Sequence, residues 1–331
     1  MNALDGGTGA KWLRGHAVVG ALIWLASWFA LPDRGSFMGF LEWVVIFALL
    51  VVTPLGLALL DRTPASRFSR PLVRFVHLLQ PLAGYVAAVS FLLPTGPLAA
   101  AAAAPWAAVA AFLALAGVLG IPNLRTTKIR ELPAWAAHFF FPFGAAWVVM
   151  SRAGLSLPSL RGTIGEPIVI LTAVHFHFMG LGLPILVDRI GRALPERVTR
   201  RPLVTFCFLA IVAGPPTVAL GFVVDGAFQV SGALVLALAV VAFSVLSLVF
   251  VVPKVRGLAK AALAVSALAG MWATPLGFAY TLVQFVPEIG ITIPWMVRFH
   301  GIVQAFGLVF CGLLAWTWAA GRHAAGAQRA P

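Results

Sequence analysis

The chain has 331 residues, 61% of them hydrophobic and only 10% charged, with a mean hydropathy of +0.99. No soluble core needs that much apolar surface, so a soluble globular protein is excluded and a polytopic membrane protein is expected. The net charge of +13 could suit nucleic acid, but the positions of the basic residues, given below, argue against that partner and for a lipid bilayer.

Stretches of about 17–25 mostly apolar residues match the thickness of the hydrocarbon layer. Ten follow one another, near 16–32, 38–60, 75–93, 97–120, 135–151, 166–188, 203–224, 230–252, 261–286 and 294–320. The expected fold is therefore an all-α polytopic bundle. Its loops are too short for a separate soluble domain, so residues 1–331 read as one integral membrane domain. The first stretch follows Lys11 and Arg14 as a signal peptide would. It lacks a small-x-small cleavage site before "PDRG", which makes it a retained first helix. If the N-terminus is cytoplasmic, 19 of the 23 Lys and Arg residues fall in inside segments. Only Arg34, Arg152, Arg161 and Arg298 fall outside, which supports an even number of spans and both termini in the cytoplasm of an inner-membrane protein.

Along the chain, prolines interrupt several spans, at Pro54, Pro142, Pro184, Pro215, Pro216 and Pro275. Each removes one helical hydrogen bond, which membrane helices tolerate when neighbours satisfy the freed carbonyl. The stretch "AAAAAAPWAAVAAF" from Ala99 reads as a thin helix that packs closely. Ten spans could form two inverted halves of five. However, "TPLG" recurs at Thr53 and Thr274, in spans two and nine, which would not correspond. Cys207 and Cys311 form neither a structural disulfide nor a zinc motif.

The sixth span carries "TAVHFHFMGLGLP", with His175 and His177 two residues apart. On an α-helix that spacing turns them about 200° apart, so they cannot share one ion from a regular helix. His175 shares a face with Thr172 and Met179, and His177 with Gly180 and Pro184. Pro184 cannot bond the Gly180 carbonyl and Gly182 weakens the same turn, so the helix is expected to open just past His177. In the last span, His300, Gln304, Gly307 and Cys311 form one polar and small stripe that should face the bundle interior. From matching depth and the polar stripe, His300 is expected within reach of His175 or His177, His175 being nearer in level, with His16 and His323 remote. Glu42, Glu166 and Glu288 lie toward the same outer side and could supply carboxylates. His77 and His138 fall at inner span ends, a usual place for interfacial histidines.

Ionisable side chains at membrane depth are candidates for function by default. Imidazole titrates near neutral pH and suits a proton-coupled carrier; it is also a ligand for copper, zinc or haem iron. Candidate metal ligands are His175, His177 and His300. No GxGxxG, P-loop, HExxH or GxSxG motif stands in its expected context, so a hydrolase or a nucleotide-driven pump has no support.

Read together, "EPIVILTAVHFHFMGLGLPIL" and "WMVRFHGIVQAFGLVFCGLLAW" resemble the YndJ-like integral membrane family. Its T-A-x-H-F-H-[FY] element maps onto Thr172, Ala173, His175, Phe176, His177 and Phe178. Its H-G-x-x-[NQ]-x-x-G element maps onto His300, Gly301, Gln304 and Gly307. The resemblance implies a transporter-like protein and ties these histidines together. Three functions remain open: a carrier of a small solute with a site of Thr172, His175, His177, His300, Gln304, Glu42 and Glu166; a membrane redox protein holding haem or copper; and a structural membrane scaffold.

Overall fold

The computed structural model describes residues 6–60, 69–121, 128–159, 162–164 and 167–327. Among them are ten helices long and apolar enough to cross a membrane. These are α1 (Thr8–Ala30), α2 (Phe37–Leu60), α3 (Ser69–Leu92), α4 (Pro97–Gly120), α5 (Ile129–Ala153), α6 (Ile168–Ala193), α7 (Pro202–Val223), α8 (Gly226–Lys254), α9 (Leu258–Leu282) and α10 (Ile293–Ala320). Between α5 and α6 lies a small antiparallel hairpin, β1 (Leu157–Ser159) and β2 (Gly162–Ile164), pairing Leu157 with Ile164.

Several helices run further than the apolar stretches suggested. α1 starts at 8 rather than 16, α5 at 129 rather than 135, and α6 continues to 193 rather than 188. In each extension at least one charged residue finds a partner on its own or a neighbouring helix. Arg14 donates from Nε to the Ala10 carbonyl at 3.0 Å. Glu131, Asp188 and Arg192 join in ion pairs of 2.9 and 3.3 Å. Helix therefore continues past the point where hydropathy stops.

The chain divides into two compact units, Met1–Lys128 with Ala134–Gly182, and Ile129–Pro133 with Leu183–Pro331. In the first unit α2 is the core helix. Its most apolar window is 89% buried, whereas that of α1 is only 17% buried, so α1 lies at the periphery with Leu22 and Phe29 outward. A pair of tryptophans fastens α1 to α2. Trp24 and Trp43 stack at 4.1 Å, and each indole N–H donates to the other residue's carbonyl at 3.0 Å. The polar end of each ring thus stays satisfied inside an apolar contact. Ser36 caps the start of α2 by accepting from the Gly39 N–H at 2.9 Å.

In the second unit, α7 packs on α8 through small residues. A Cβ at Gly221 would collide with the Gln229 backbone, and one at Gly232 would meet Thr217 at 2.9 Å. Such contacts let helix backbones approach where lipid supplies no hydrophobic drive. A cavity of about 10 Å³, room for one water-sized occupant, lies among the serines of α8 and α9, Ser244, Ser247 and Ser266, and residues of α6 and α10.

A buried polar tie in the first unit is Arg152, 2% exposed near the end of α5. It donates to Glu42 of α2 at 2.8 Å and to the Leu93 carbonyl at 2.6 Å, with its guanidinium 4.8 Å from the Phe91 ring centre. Breaking a buried pair from one side leaves an uncompensated charge and costs about 3–5 kcal/mol. We therefore expect Arg152→Met to lower unfolding stability by that amount in detergent, and Arg152→Met with Glu42→Gln to recover most of it. Denaturant titration of both variants checks this; equal losses would mean the pair is not what holds α5 to α2.

Candidate functional site

Among the described residues, four helices leave the α-helical ladder for wider π turns: α2 at Ala48–Val52, α6 at Phe176–Gly182, α8 at Ser247–Val251, and α10 at Val297–Gly301 and Val303–Phe310. Three of these segments end two residues before a proline, at Pro54, Pro184 and Pro253. The hydrogen bonds explain why. Thr53 bonds the Ala48 carbonyl and Val252 the Ser247 carbonyl, five residues back rather than four. A proline has no N–H and crowds the carbonyl four residues before it, so widening the preceding turn shifts the ladder around the obstacle. In α2 this leaves the Leu49 carbonyl without a ladder donor, and Gln80 Nε2 of α3 supplies one at 3.2 Å.

The same widening carries His177, which is fully buried. It lies within the π turn rather than before it. Trp106 Nε1 of α4 donates to His177 Nε2 at 3.0 Å, and Nδ1 of the same ring donates to the Ala173 carbonyl at 2.7 Å. An indole nitrogen can only donate and a carbonyl can only accept, so the tautomer is set: neutral imidazole with its proton on Nδ1. The Trp106 ring lies nearly parallel to the imidazole at 5.9 Å, and Phe141 stands edge-on at 5.8 Å. Gly144 of α5 makes room, since a Cβ there would sit 2.9 Å from His177 Nδ1. Both ring nitrogens are engaged, and the one lone pair of the neutral ring, on Nε2, is taken by the indole N–H in this arrangement.

In the second unit, α10 presents His300 in its first π turn and Gln304 in its second. His300 Nδ1 donates to the Ala273 carbonyl of α9 at 2.8 Å, and its ring occupies the space a Cβ at Gly277 would take. Gln304 Nε2 donates to Thr274 Oγ1 at 2.6 Å. Its Oε1 is buried with no hydrogen-bond partner among the described residues. Both imidazoles thus rest on the glycine of a Pro-x-Gly element in the preceding helix, Pro142–Gly144 for His177 and Pro275–Gly277 for His300.

The remaining site residues expected from the sequence fall as follows. His175 is half-buried, its ring 6.1 Å from that of Phe176. Thr172 donates to the Ile168 carbonyl one turn back at 2.7 Å. Glu42 is the partner of Arg152, and Glu166 lies outside the described residues. His175 and His177 belong to the first unit and His300 to the second. Among the described residues no three His, Cys, Asp or Glu side chains are grouped as a metal ion requires. His77 and His138 are buried, at 5% and 6% exposure, rather than facing headgroups. Sequence reading missed Trp106, whose one signal was a lone indole in an alanine-rich helix, and it missed the glycine seats.

These features define a multi-pass α-helical membrane protein that keeps buried, hydrogen-bonded histidines on widened helices. The chain belongs to the YndJ-like family, whose description as YndJ-like protein matches residues 43–308. It is 26% identical over 213 residues to "Uncharacterized membrane protein YndJ" of Bacillus subtilis (strain 168), covering 64% of this chain and 37% of that protein. The aligned region thus spans well under half the length of that relative. No solved structure matches the chain.

Replacing Trp106 by Phe keeps an aromatic ring but leaves His177 Nε2 as a buried acceptor without a donor. The penalty for such an orphan is about 1–3 kcal/mol. We expect Trp106→Phe to lose that much stability and Trp106→Phe with His177→Phe to regain much of it, as read by thermal unfolding of the purified protein. A double variant no more stable than the single one would show that the packing of the rings, not their hydrogen bond, dominates.

Proposed function

We propose that this chain is a proton-linked carrier of a small solute in the cytoplasmic membrane, with both termini in the cytoplasm. The observation that supports it is the Trp106–His177 hydrogen bond inside the π turn of α6. A second proton on the imidazole would turn Nε2 into a donor facing the indole donor, so that bond exists in only one protonation state. Protonation would then release Trp106, which is fully buried and packs on Phe141. Proton uptake and helix packing are thereby the same event, which is what a coupled carrier needs. Wide helical turns are frequent at functional sites, and this one carries the histidine itself.

On this reading His300 and Gln304 contribute from the second unit. With its proton on Nδ1, His300 offers Nε2 as an acceptor, and Gln304 Oε1 is a buried acceptor without a partner. Two acceptors suit a solute that brings N–H or O–H donors, and a protonated amine is the simplest such chemistry.

The test uses full-length protein in proteoliposomes loaded with a pH-sensitive dye and exposed to a panel of small amines and polyols. Wild-type protein is expected to move protons when one solute class is added. His177→Gln, which cannot titrate, is expected to slow that movement at least about tenfold, as loss of a positioned proton-transfer group does. Gln304→Leu is expected to weaken solute dependence instead. Proton movement unchanged in His177→Gln would overturn the reading.

A further inference from the structure

Where α5 begins and α6 ends, the second unit gathers charges that the histidine site does not use. Asp188 is 1% exposed and accepts at both oxygens from Arg192 Nε, each at 2.9 Å. Arg189 Nε lies 3.8 Å from the same carboxylate. Glu131, also buried, meets Arg192 Nη1 at 3.3 Å. Next in sequence is Arg130. Its Cβ lies 3.3 Å from where a Cβ of Gly191 would stand, which places it across from the turn that carries Arg189 and Arg192. Lys254 of α8 reaches the same helix end, donating to the Ala193 carbonyl at 3.3 Å.

The charges do not balance. Counting Arg130, three arginines share this helix end with two carboxylates, and both carboxylates lean on Arg192. Arg130 makes no ion pair among the described residues, and its Nε is buried with no hydrogen-bond partner. Arg192 Nη2 is likewise buried and unpartnered. Shielded guanidinium N–H groups are costly to leave unpaired, and each needs an acceptor. The negative end of the α6 dipole accounts for Lys254 at Ala193 but not for Arg130, which stands on another helix. What would complete the set is an anion with several oxygens within reach of more than one donor. Phosphate matches guanidinium geometry and can accept from two such groups at once.

We propose that Arg130, Arg189 and Arg192, with Lys254 beside them, form a seat for a phosphate-bearing anion. Its two sources are a free phosphate and the headgroup of an anionic phospholipid. The seat lies at the span ends that the charge bias assigns to the cytoplasmic face, where anionic headgroups concentrate.

The experiment measures thermal unfolding of the full chain in detergent against sodium phosphate, with sodium chloride at matched ionic strength as control. It repeats the measurement in mixed micelles of phosphatidylglycerol against phosphatidylcholine. A saturable rise in melting temperature of about 2–4 °C is expected. A rise with phosphatidylglycerol alone supports the seat with a lipid headgroup as its occupant. A rise with phosphate as well supports it with the free anion. In either case the rise is expected to vanish in Arg130→Gln and to persist in the control Lys260→Gln. Should Arg130→Gln fail to fold, Lys254→Gln replaces it, with native mass spectrometry counting phosphatidylglycerol retained by wild type and variant. No saturable rise with either probe overturns the proposal, as does a rise or retention equally strong in the variant.

Discussion

Inside hydrocarbon no water is at hand to pair a stray N–H or carbonyl, so every backbone group in a span must find a partner within the protein. Proline makes that hard, because it takes a donor away and pushes on the carbonyl four residues back. This chain meets the constraint at Pro54 by widening the turn ahead of it, and Gln80 then takes up the carbonyl left over. Gln80 can reach because Gly84, one turn further along α3, keeps that helix thin, a Cβ there lying 3.3 Å from the Leu49 carbonyl. One missing N–H therefore dictates a wide turn, a buried glutamine and a small residue on a neighbouring helix.

Polar side chains in each unit follow the same logic of mutual satisfaction. Trp24 and Trp43 exchange donors across a stacked pair, and Arg152 divides its donors between a carboxylate and a loop carbonyl. Ser266 donates to the Leu308 carbonyl within the second wide segment of α10 at 2.6 Å. Against this background the few donors and acceptors without partners mark the places where chemistry is still open. Gln304 Oε1, Arg130 Nε and Arg192 Nη2 are three of them.

Much of the fold was legible because a span is a local property: an apolar run of sufficient length declares itself, whatever it packs against. Its ends were less legible, since Glu131, Asp188 and Arg192 look like loop residues until their pairing is seen. Proline alone did not tell where helices widen. Pro142, Pro215 and Pro275 sit inside α-helical runs, whereas Pro253, which the sequence reading passed over, follows a wide turn. The histidines were visible as polar residues out of place, and the opening of α6 near His177 followed from Gly180, Gly182 and Pro184. The partner of His177 was not visible, because Trp106 is 71 residues away and only packing brings the two rings together.

The energetics of that pair bear on why it exists. Buried hydrogen bonds between membrane helices average only ~0.6 kcal/mol, so the Trp106–His177 bond adds little to the stability of the first unit. An all-apolar replacement of similar shape would hold the helices about as well, because removing both partners leaves no orphan. Stability alone therefore gives no reason to place an imidazole there. What the imidazole provides, and a phenyl ring does not, is a nitrogen whose role as acceptor depends on a proton. Here that nitrogen is the acceptor for the N–H of a buried tryptophan, on a turn already loosened by the proline that follows. Such an arrangement would tie the contact of Trp106 on α4 with His177 on α6 to the protonation of a single ring.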